Sequence, residues 1–64
     1  MQHMFMRLTS RGDASVFINL ARVSDMSVMQ NGLTYLRVDT GGGYATFEVK
    51  ESVQDILKEL ENRT

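Results

Sequence analysis

The sequence predicts a small α+β domain: an antiparallel β-meander of four or five strands with one C-terminal amphipathic helix packed on one face. Three observations predict it. Apolar residues alternate in short runs between Met4 and Val49, turn-forming residues separate those runs, and after Glu51 the apolar period changes from two to 3.6. The whole of residues 1–64 reads as one domain, without proline, linker or internal repeat.

The first run, Met4 to Thr9, puts Met4, Met6 and Leu8 on one face and Phe5, Arg7 and Thr9 on the other, as a half-buried strand does. Ser10-Arg11-Gly12-Asp13 has turn chemistry. Val16-Phe17-Ile18 is a short β-branched and aromatic strand, and Asn19 marks a bend, with a helical turn open to Leu20–Val23. A third strand is expected from about Arg22 to Gln30, with its alternation broken by Ser24, Asp25 and Ser27. Asn31-Gly32 predicts a type I′ hairpin, because both central residues of that turn need positive φ. Leu33 to Thr40 and Tyr44 to Lys50 are the last two strands, joined by Gly41-Gly42-Gly43.

A helix is expected over about residues 52–62. Ser52 is a good N-cap, with Asp55 three residues on, and Val53, Ile56, Leu57 and Leu60 form a stripe at i, i+3, i+4 and i+7. Ten residues make a marginal helix alone, so the stripe must dock on the sheet. The covered face would then hold Met4 or Met6, Leu8, Leu36, Val38, Ala45, Phe47 and Val49.

A chain of 64 residues buries roughly 60% of its unfolded surface and is marginal as a monomer. It has no cysteine for disulfides or thiolate metal sites, and one histidine cannot hold a structural zinc. Association is the remaining source of stability, so a homo-oligomer, dimer or higher, is expected. Hydrophobic content of 42% argues against disorder, and a net charge of −1 carries no signature of generic nucleic-acid or membrane binding. No apolar run has the length of a signal-peptide core or a membrane span, which predicts a cytoplasmic protein that does not insert in membranes. Met1, Met4 and Met6 are all candidate starts, and residues 1–3 read as frayed or vector-derived.

The uncovered sheet face would carry Phe5, Leu33, Tyr35 and Tyr44 among Arg7, Arg37, Glu48 and Lys50. Exposed apolar surface of this kind marks an interaction site. Phe5, Arg7, Leu33, Tyr35, Arg37 and Tyr44 are therefore the candidate interaction residues, the two arginines supplying directional hydrogen bonds. Aromatics and arginines on an open sheet can also stack single-stranded bases, which makes an RNA-binding regulator the alternative. A second alternative is that the sheet curls and these side chains cover one another.

No arrangement of residues organises catalysis. Arg11-Gly12-Asp13 reads as a polar turn, and Gly41-Gly42-Gly43 leads into a strand rather than the helix N-terminus that a phosphate loop needs. Ser24, His3 and Asp25 can be written as a triad with nothing to support its geometry, and Asp25 and Asp39 read as solvated carboxylates even if they face each other. The expectation is a non-enzymatic protein with no cofactor and no metal.

Leu8-Thr9-Ser10-Arg11-Gly12, Phe17-Ile18-Asn19, and Val23 with Met26 resemble the opening of the small FlbD-type flagellar (swarming motility) proteins. Thr34-Tyr35-Leu36-Arg37-Val38, a glycine turn, a strand and Val49-Lys50-Glu51-Ser52-Val53 resemble their second half, the last string matching the family's Val-x-Glu-Ser join of strand to helix. This chain has three glycines in its turn, and Gln30-Asn31-Gly32-Leu33-Thr34 stands where the family has a Pro-Asp-Thr step. The resemblance implies a small cytoplasmic protein without cofactor that acts on flagellar motor output through protein contacts. The strands-then-helix order is also loosely similar to the dimeric carbon-storage-regulator RNA-binding proteins, whose basic strand-edge motifs have no counterpart here.

Overall fold

The computed structural model describes residues 4–63 and is a small α+β fold, with five antiparallel strands in two sheets and one C-terminal helix. The candidate start Met1 and His3 lie outside the described residues. β1 (Phe5–Thr9) pairs with β2 (Ser15–Asn19), and β3 (Val23–Val28), β4 (Thr34–Asp39) and β5 (Tyr44–Val49) form a meander with β4 central. α1 (Val53–Asn62) follows. Strand and helix ends fall within one or two residues of the sequence expectation.

The expected single sheet is divided, because the chain leaves β2 through a 3₁₀ turn, Leu20–Arg22, instead of a hairpin. Asn19 caps that turn, its side-chain oxygen accepting the Ala21 N–H at 3.0 Å. The two sheets meet at one corner. Lys50 N–H donates to the Thr9 carbonyl (2.8 Å) and Arg11 N–H to the Glu48 carbonyl (3.2 Å), on either side of a bridge between Ser10 and Val49. The corner lets the inner faces of both sheets converge on one core of Leu8, Ile18, Leu20, Leu36, Val49 and Ile56. Each fully buried Leu, Ile or Val contributes roughly 1.5–3 kcal/mol.

The broken alternation of the third strand has a structural cause. Val23 pairs with Val38 and Asp25 with Arg37, so Ser24 is an extra residue, a β-bulge. The bulge turns Val23 and Met26, three apart in sequence, toward the same core.

The Asn31-Gly32 turn is not type I′, since Asn31 keeps negative φ and only Gly32 is positive, at 86°. Gly32 N–H donates to the Met29 carbonyl (3.0 Å) and Met29 N–H to the Leu33 carbonyl (2.8 Å), a three-residue loop with one left-handed residue. Asn31 instead accepts the Leu33 N–H with its side chain (3.0 Å). The β1–β2 hairpin repeats this loop. Asp13 N–H donates to the Ser10 carbonyl, Ser10 N–H donates to the Ala14 carbonyl, and Asp13 takes the left-handed position at φ 67°.

α1 is anchored at both ends to β1. Ser52 Oγ accepts the Asp55 N–H at 3.0 Å, the expected cap. Just before it, the Glu51 carboxylate accepts the Thr9 N–H (2.8 Å) and the Thr9 hydroxyl (2.9 Å). The Glu51 carbonyl accepts the hydroxyl of buried Thr34 (2.6 Å). At the far end Arg63 pairs with Glu59 (3.2 Å) and donates to the Phe5 carbonyl. Ile56 enters the core and Leu60 packs against it, while Leu57 of the expected stripe remains 42% exposed.

Burial pushes the Glu51 carboxyl up. The two Thr9 hydrogen bonds, its own backbone N–H and the charge of Arg7 outweigh that effect, and the group titrates below the ordinary carboxylate value. A depressed folded pKa contributes stability above the unfolded value, and that contribution is lost as pH falls through the folded value. Glu51→Gln should therefore lower stability at neutral pH by about 1–2 kcal/mol, since an amide NH₂ would face a Thr9 donor. The deficit relative to the native chain should shrink as urea titrations are repeated toward acid pH. In the same assay Gly32→Ala should cost about 1 kcal/mol for its left-handed φ. Gly42→Ala, with ordinary φ and open space around its Cβ, should be close to neutral.

Candidate interaction surface

The β3–β4–β5 register builds the outer face from odd positions of β4. Tyr35 lies between Ser27 and Glu48, and Arg37 between Asp25 and Thr46. Asp39 pairs with Tyr44 at the end of the ladder. Tyr35, Arg37 and Tyr44 thus share one surface, as their alternation in the sequence implies. Tyr44 is 62% exposed.

Arg37 is tied within the face. Its Nε donates to Asp25 Oδ1 (3.0 Å) and its Nη2 to Asp25 Oδ2 (2.7 Å), a bidentate fork. Its guanidinium carbon lies 5.1 Å from the centre of the Tyr44 ring, within cation–π range. The hydrogen bonds from Arg37, helped by its charge and only partly opposed by desolvation, hold the Asp25 carboxyl below its ordinary value, and Asp25 raises Arg37 in turn. Asp25 faces Arg37 and not Asp39. The result is a charge-compensated surface on which the Arg37 guanidinium, forked to Asp25, lies over the Tyr44 ring.

Phe5 and Arg7 belong to the other sheet. On the outer face of the β1–β2 hairpin, Arg7 opposes Phe17 and Phe5 opposes Asn19, so Phe5 and Phe17 are diagonal neighbours. Phe5 is 49% and Phe17 65% exposed. Arg7 Nε donates to Ser15 Oγ at 3.1 Å. Leu33 immediately precedes β4, which begins at Thr34, and closes the preceding loop, half-buried. Phe17 is the most exposed aromatic residue, and alternation along β2 places it on the outer face opposite Arg7, away from buried Ile18.

Arg11-Gly12-Asp13 clips the two sheets together. Arg11 lies 3.6 Å from Glu48 and Asp13 pairs with Lys50, both partners flanking the β5 corner. An open groove of about 360 Å³ runs between this turn and β5, lined by Arg11, Val16, Phe47 and Glu48 among others. Glu48 Oε1 is shielded there and accepts no hydrogen bond. A smaller apolar crevice of about 100 Å³ separates α1 from β3, between Leu20, Met26, Ile56 and Leu60.

Among the described residues no cluster of three or more His, Cys, Asp or Glu side chains could hold a metal ion, and no helix is long and apolar enough to cross a membrane. Compared with protein-family models, curated proteins and solved structures, the chain matches none.

The fork should be visible in solution. In Arg37→Gln, NMR titration of the Asp25 carboxyl carbon should show its pKa rising to the ordinary carboxylate range. The melting temperature should change little, because both groups are exposed.

Proposed function

We propose that this protein is a small non-enzymatic regulator that works as a homo-oligomer and through protein contacts. The observation that carries the reading is the exposure of Phe5, Phe17 and Tyr44 on the outer faces of a 64-residue chain. Apolar rings displayed on regular sheet faces, beside polar side chains that fix direction, are the ordinary composition of a protein-binding surface. The small core makes association doubly useful, since binding of folded copies stabilises the folded state by mass action.

The resemblance to FlbD-type proteins supports a role in flagellar motility, with the Tyr35–Arg37–Tyr44 platform offered to a partner protein. A cytoplasmic location accords with that role. Single-stranded RNA is the less favoured ligand for the same platform. Arg37, Arg11 and Lys50 are each paired with a carboxylate, and Glu48 flanks Tyr35, so phosphate would meet compensated charge.

The test is absolute mass by light scattering across a dilution series at low and high salt. The expected result is a dimer or larger species whose mass is insensitive to salt, and no binding of single-stranded RNA oligonucleotides. A folded monomer of 7.3 kDa at every concentration would overturn the oligomeric reading. Salt-sensitive RNA binding would replace it with the RNA-regulator reading.

A further inference from the structure

We infer that two copies of this chain pair along the outer edge of β2, antiparallel, about a two-fold axis at Phe17. The inference rests on the homo-oligomeric reading above and assigns the seam. It follows from which strand edges the fold leaves open and what they carry.

The β1–β2 ladder has a definite phase. Ser10 N–H donates to Ala14 at one end and Leu20 N–H to Met4 at the other. In the alternating antiparallel pattern, Met6–Ile18 and Leu8–Val16 are then hydrogen-bonded pairs, and Arg7–Phe17 and Thr9–Ser15 are not. The backbone N–H and C=O of Ser15 and Phe17 therefore point away from β1. Among the described residues no strand pairs with β2 on that side.

The other edges are occupied or interrupted over part of their length. β5 meets β1 at the corner through Glu48 and Val49, while its Thr46 and Phe47 border the open groove beside Arg11, and the remainder of the β1 edge receives Glu51 at Thr9 and Arg63 at Phe5. The β3 edge is broken by the Ser24 bulge, carries Asp25 and lies against α1. Bulges and charges of this kind discourage edge pairing. β2, Ser15-Val16-Phe17-Ile18-Asn19, has no charge, proline, glycine or bulge. It is regular in register and β-prone, with Phe17 65% exposed.

The strand is also complementary to itself. With five residues centred on Phe17, antiparallel pairing of two copies sets Phe17 opposite Phe17 and Ser15 opposite Asn19. The two Phe17 residues exchange a pair of backbone hydrogen bonds on the axis, and no like charges meet. The outer face gains a continuous row of Phe5, Phe17, Phe17 and Phe5 across a four-stranded sheet. A closed two-fold contact of this type stops at the dimer.

The chain has no cysteine, so a single introduced thiol reports one position. Phe17→Cys, Tyr44→Cys and Phe17→Lys would be compared with the native chain by light scattering, circular dichroism and non-reducing gel electrophoresis after mild oxidation. The expected native mass is twice the 7.3 kDa chain. Phe17→Cys should form a covalent dimer when oxidised in the folded state, since facing Cα atoms in such a pair lie about 5.5 Å apart, within disulfide reach. Crosslinking should be lost in urea, and Tyr44→Cys should not crosslink. Phe17→Lys should run as a single chain with native circular dichroism; if it does not fold, the Phe17→Cys result decides alone. A dimer that crosslinks through Tyr44→Cys and not through Phe17→Cys, or that persists in folded Phe17→Lys, would overturn the inference while leaving the oligomeric reading in place. A folded monomer at all concentrations would remove both.

Discussion

Glu51 is the point on which the tertiary structure turns. One residue accepts the Thr9 N–H and hydroxyl with its carboxylate and the Thr34 hydroxyl with its carbonyl, immediately before the cap of α1. The end of β1, the start of β4 and the start of the helix are thereby held together. The hydroxyl of buried Thr34 would otherwise be a polar atom shielded from water without a partner, which costs more than the hydrogen bond contributes. The corner where β1 meets β5 lies beside it, so the latch also sets the angle at which the two sheets converge on Leu8, Leu36 and Val49.

Arg63 repeats the device at the other end of the helix. By reaching the Phe5 carbonyl it ties the last turn of α1 to the first residue of β1. A short helix whose stripe is only partly covered gains its position from these two polar anchors as well as from Ile56. Leu57 can stay exposed for that reason.

The charges follow one plan. Arg37 is forked to Asp25, Arg11 faces Glu48 and Lys50 holds Asp13, so the outer surface offers compensated pairs and not a field of one sign. Such a surface does little long-range steering. What distinguishes it is shape and apolar area: Tyr44 braced by Arg37 on one sheet, and Phe5 with Phe17 on the other. These patches lie on different sheets.

Periodicity made the elements legible. The alternation of Leu36, Val38, Ala45, Phe47 and Val49 identified the inner face, and the Ser52 cap with Ile56 and Leu60 identified the helix and its buried side, because these patterns act between residues a few positions apart. The same alternation placed Tyr35, Arg37 and Tyr44 together. Long-range relations stayed hidden. Nothing local shows that Arg37 would be held by Asp25, that Glu51 would bind Thr9 forty-two positions away, or that a 3₁₀ turn at Leu20 would split Phe5 and Arg7 from the Tyr44 face. Even the Asn31-Gly32 turn changed type, since its loop length is set by how β3 and β4 pair. By itself the sequence determined the α+β class, the strand-then-helix order and the inward faces, all consequences of local geometry and burial. The sheet division, the free edge at β2 and the grouping of the exposed rings were decided only when distant strands found their register.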